Sequence, residues 1–109
     1  MLRELVDQDT PTFLTDLIQS FINDCGQRIE ELRQGLPNNC VVVTHAAHTL
    51  KSTCANMGAF PLSEICQNIE ECSQAGDAAK AEALFKDLLE EYQAVLAALQ
   101  TLPEYPHNA

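Results

Sequence analysis

The chain has 109 residues, 46% of them hydrophobic, and 6 Lys+Arg against 16 Asp+Glu give a formal net charge of −10. That length fits one domain with a core that needs no metal or disulfide staple, and the charge repels nucleic acid and anionic membrane surfaces, so neither is an expected partner. No apolar run approaches the ~18 residues of a membrane span, and Met1 to Thr10 has neither the basic start nor the apolar stretch of a signal peptide, so a cytoplasmic protein without direct membrane insertion is expected.

In chain order, Leu2, Leu5 and Val6 can form a short N-terminal helix. Thr10 and Pro11 then give a cap and first-position signal, and Phe13, Leu14, Leu17, Ile18, Phe21, Ile22, Cys25, Ile29 and Leu32 recur at helical spacing until Gly35, Leu36 and Pro37. Asn38 or Asn39 can cap a second helix with the stripe Val43, Ala47, Leu50, Cys54 and Met57, which Gly58 stops. Pro61 restarts helix with Leu62, Ile65, Cys66 and Ile69 on one side, and Gly76 with Asp77 marks the next turn and cap. From Ala78 the last helix offers Leu84, Phe85, Leu88, Leu89, Tyr92, Val95, Leu96 and Leu99 to a core.

Amphipathic helices with short connections hide their apolar faces most simply as a bundle, so the expected fold is all-α: an antiparallel up-down four-helix bundle with a short additional N-terminal helix. The domain is expected to span residues 1–102, and the tail 103–109 (PEYPHNA), which contains His107, to fray. Five cysteines, Cys25, Cys40, Cys54, Cys66 and Cys72, form an odd set without a CxxC pair. They read as small buried hydrophobes, not as a disulfide framework or zinc knuckle.

The stretch THAAHTLKSTCANMGA, from Thr44 to Ala59, holds the chemistry. At about 100° per residue, Val43, Ala47, Leu50, Cys54 and Met57 occupy one side of the helix. Val41, Thr44, His45, His48, Lys51, Ser52 and Ala55 gather on the other, so His48 lies nearly opposite the core stripe. Thr44, Ser52 and Ala55 are small and would let a partner backbone approach the imidazole. Lys51 is the only formal charge from Asn39 through Ser63, and a face with few charges to desolvate suits docking.

Lys51 stands one turn from His48 and can reach an anion on its ring. A cation at that distance also favours the neutral, nucleophilic form of an imidazole. The pair therefore suits phosphoryl acceptance, His48 supplying the attacking nitrogen and Lys51 offsetting charge on the oxygens. A metal site is not expected, since His45 and His48 make only half of one and Lys51 would repel the cation. Hydrolysis would need an activated nucleophile in a concave pocket, and ATP binding a glycine-rich loop; neither is evident.

The segment AHTLKSTCANMGAFPLSEICQNIE, Ala47 to Glu70, resembles the signature of histidine phosphotransfer (HPt) domains of two-component phosphorelays through His48, Leu50, Lys51, Ser52, Gly58, Ala59, Leu62, Cys66, Ile69 and Glu70. Serine stands where the family more often has glycine, isoleucine where it has leucine, and His45 has no counterpart. The resemblance implies that His48 accepts a phosphoryl group from a receiver-domain aspartate and passes it reversibly to another receiver. It implies no kinase activity and no cofactor on this chain, the Mg²⁺ being bound by the receiver. Lys51 would stabilise the phosphoryl group and Glu70 would orient the ring, while Thr44, His45, Ser52 and Ala55 would form the receiver-docking face. The expected partners of a monomeric carrier are response-regulator receivers and a hybrid sensor histidine kinase, of which the chain can equally be the C-terminal module. A pseudo-HPt adaptor, docking receivers without carrying phosphate, is the alternative.

Overall fold

The computed structural model describes residues 12–106, which form four α-helices: α1 (Phe13–Gly35), α2 (Cys40–Asn56), α3 (Phe60–Gln74) and α4 (Ala78–Gln100). The expected N-terminal helix at Leu2, Leu5 and Val6, the Thr10–Pro11 signal and His107 lie outside the described residues. Connections of residues 36–39, 57–59 and 75–77 leave room only for reversal of direction, and the result is the up-down bundle.

Each boundary has a local cause. Asn39, not Asn38, caps α2, its side-chain oxygen accepting the Val42 N–H at 3.2 Å, and Asp77 caps α4 by accepting the Lys80 N–H at 3.2 Å. Gly58 (φ 80) and Gly76 (φ 79) end α2 and α3 in the left-handed region, where a side chain is strained. Gly35 ends α1 differently: Leu36 turns extended ahead of Pro37. A Cβ on Gly35 would lie 2.9 Å from the Val43 side chain, so that glycine serves close approach of α1 to α2.

Ile18, Leu32, Val43, Leu50, Leu62, Ile69 and Leu88 are fully buried, and Ala46 and Ala47 let the neighbouring helices approach α2 closely. Met57, placed in the core stripe by spacing, is only partly buried because it sits at the end of its helix. The cysteines divide. Cys25, Cys54 and Cys66 are fully buried in one core cluster, whereas Cys40 is exposed and Cys72 half-buried. These last two depart from the expectation of five buried cysteines: Cys40 is the first residue of α2, and Cys72 stands one place off the buried stripe of α3 formed by Leu62, Cys66, Ile69 and Ser73. Residues 103–106 continue in turns, and Leu102 and Tyr105 pack against Leu14 and Ile18, so apolar packing extends past the expected domain end.

Candidate functional site

α2 and α3 pack side by side, and the register of that pair assembles the site. Ser63 fixes it at one end, its hydroxyl donating to the Lys51 carbonyl at 3.0 Å. At the other end Ser73, 5% exposed, donates to the Cys40 carbonyl at 3.0 Å and accepts from the Thr44 hydroxyl at 2.9 Å. Between these two clamps His48 on α2 faces Glu70 on α3.

The His48 side chain is 60% exposed, as its place opposite the core stripe requires. Its Nδ1 lies 3.0 Å from Oε2 of Glu70, whose side chain is only 13% exposed. The other carboxylate oxygen, Oε1, accepts from Lys51 Nζ at 2.9 Å. Burial pushes the Glu70 carboxyl up, but the hydrogen bond and positive charge of Lys51, joined by the interaction with His48, outweigh it and hold the group below the ordinary carboxylate range. An ionised carboxylate only accepts hydrogen bonds, so Nδ1 must donate, and a neutral ring then keeps its lone pair on Nε2.

Lys51 is held more tightly than a free surface lysine. Its side chain is 25% exposed, and Nζ also donates to Gln67 Oε1 at 2.7 Å. The wheel placed Lys51 beside His48, but the ammonium points across to α3. The group adjoining the ring is therefore the Glu70 carboxylate, with Lys51 on its far oxygen.

The other expected site residues lie along the same face. His45, Ser52 and Ala55 are exposed, while Thr44 is half-buried and its hydroxyl is used in the clamp to Ser73. The side chains of Val41, Thr44, His45, His48, Glu70 and Gln74 help line an open groove of about 480 Å³. Val41, 76% exposed, and Phe60, 65% exposed, stand on either side of His48 at the heads of α2 and α3. Among the described residues no group of three or more His, Cys, Asp or Glu is placed to hold a metal ion, and no helix is long and apolar enough to cross a membrane.

Sequence reasoning missed Gln67, Ser63 and Ser73. Gln67 and Glu70 are spaced i, i+3 and so share a helix face, but only the register of α2 against α3 shows that this face meets Lys51. Ser63 and Ser73 lack even that signal, because a serine hydroxyl that clamps a neighbouring helix looks in sequence like any polar surface residue.

The sequence model of the Hpt domain family matches residues 16–100, a span that contains the whole His48, Lys51, Gln67 and Glu70 cluster. Two proteins of Arabidopsis thaliana are similar: histidine-containing phosphotransfer protein 2, 25% identical over 105 residues, and histidine-containing phosphotransfer protein 5, 27% identical over 105 residues. Each alignment covers 93% of this chain and 67% of the relative. Among solved structures, histidine-containing phosphotransfer protein B (HptB) from Pseudomonas aeruginosa PAO1 has the same fold, with a TM-score of 0.75 and 27% identity over 86% of this chain and 79% of that one.

Proposed function

This chain belongs to the Hpt domain family, and from that membership we propose that it is a phosphorelay carrier whose His48 accepts a phosphoryl group from a receiver-domain aspartate and passes it to a second receiver. In the accepting step the Nε2 lone pair attacks the phosphorus of the aspartyl phosphate. The N–P bond forms as the P–O bond to the aspartate breaks, and the carboxylate leaves; donation is the reverse. Nδ1 keeps its proton throughout, so the ring gains formal positive charge as Nε2 commits its lone pair.

The observation that supports this reading is the single carboxylate shared by His48 Nδ1 and Lys51 Nζ. Glu70 selects the tautomer with a free Nε2 and stabilises the charge that develops on the ring. Alone, it would also repel the incoming phosphoryl oxygens. Lys51 on its other oxygen offsets that repulsion, and the third N–H of the ammonium remains for the phosphoryl group.

The partners of this reading are response-regulator receivers, which supply the Mg²⁺, and a hybrid sensor kinase upstream of them. The chain acts as a monomer in the cytoplasm and phosphorylates nothing from ATP. A docking-only adaptor would have no use for the orienting carboxylate and its lysine, and this favours the carrier. Incubation with a phosphorylated receiver tests it: wild type gains acid-labile, base-stable phosphate and His48→Gln gains none. Equal labelling of the two, or none of either, overturns the carrier.

A further inference from the structure

We propose that Gln67 is a positioning residue for phosphoryl transfer, holding the Lys51 ammonium where it serves Glu70 and the phosphoryl group together; this rests on the carrier reading above. Lys51 reaches the site on a four-carbon stem with many rotamers, and its charge is useful only at one place. A single acceptor, Glu70 Oε1 at 2.9 Å, fixes a distance but not a direction. Gln67 Oε1 at 2.7 Å supplies a second fixed point from one helical turn away on α3. With two of its three N–H groups so committed, the ammonium can turn only its third toward an arriving anion.

The amide itself is oriented. Gln67 Nε2 donates to Glu71 Oε2 at 2.6 Å, which leaves Oε1 as the atom turned to Lys51. Reversed, the amide would set a donor against the ammonium. Gln67 also adds an acceptor without adding charge. A second carboxylate in its place would bind the ammonium more strongly but would put more negative charge beside the phosphoryl site. Ser63, donating to the Lys51 carbonyl, anchors the backbone end of the same lysine to the same helix.

Two readouts on Gln67→Ala test the proposal. In the unphosphorylated protein, NMR of the labelled lysine ammonium groups should show the Lys51 signal broadened by faster proton exchange and side-chain motion, with the melting temperature nearly unchanged. In transfer from a phosphorylated receiver the maximal rate should fall by about tenfold, the low end of the loss expected for one hydrogen bond to a charged group. The receiver concentration for half-maximal rate should stay the same. In a Lys51→Ala background the same substitution should cost nothing further, whereas a general weakening of α3 would persist there. An unchanged Lys51 signal, an unchanged rate, or an equal loss in both backgrounds overturns the positioning role alone. Wild-type protein that takes up no phosphate overturns the carrier reading, and this role with it.

Discussion

Nδ1 of His48 and Oε2 of Glu70 lie 3.0 Å apart, across the seam between α2 and α3. The bond joins an exposed ring to a largely covered carboxylate. Because Lys51 occupies the other oxygen, the carboxylate stays ionised and can only accept. The tautomer of the ring thus follows from the packing of two helices.

Glu70→Ala should therefore slow phosphoryl transfer about 10- to 100-fold, by analogy with the loss when the hydrogen-bond partner of a metal-bound histidine is removed. ¹⁵N chemical shifts of His48 should show the Nε2-protonated tautomer becoming populated. A variant with the wild-type tautomer and rate would mean that something other than Glu70 orients the ring.

The same carboxyl gives a pH dependence of defined sign. Its pKa is depressed in the folded protein, so its ionised form stabilises the fold above the unfolded carboxylate pKa. That contribution is lost as pH falls through the lower folded value. Acid titration of thermal stability should be shallower in Glu70→Gln than in wild type over that window, with the two curves parallel at neutral pH. Equally steep acid limbs would contradict the depressed pKa.

Ser52 is exposed one turn from His48 on the expected docking face. Ser52→Arg should raise the receiver concentration for half-maximal transfer by about tenfold, because a bulky, hydrated side chain then separates two surfaces that must touch. Circular dichroism and melting should be unaffected. A half-maximal concentration equal to wild type would place the docking face elsewhere.

The bundle was legible in the sequence because its signals are local. Asp77, Gly58 and Gly76 act through their own backbone, and Leu50, Leu62 and Leu88 declare a core by period. His48 was legible for the same reason, since a helical wheel alone separates it from the core. Glu70 was reached only through the family resemblance, and Gln67 not at all, because each acquires its role from the register between two helices. Thr44 illustrates the opposite case: the wheel sets it apart from the core stripe, but it is half-buried and its hydroxyl is turned to Ser73 across that same seam. Cys40 and Cys72 show that residue type alone does not predict burial: Cys66 lies on the buried stripe of α3 and Cys72 does not.

The most direct test of the account is the site of phosphate on the ring. After transfer from a phosphorylated receiver to ¹⁵N-histidine-labelled protein, the ³¹P and ¹⁵N spectra should show His48 phosphorylated on Nε2 with a proton retained on Nδ1. Phosphate on Nδ1, or on any residue other than His48, would contradict it.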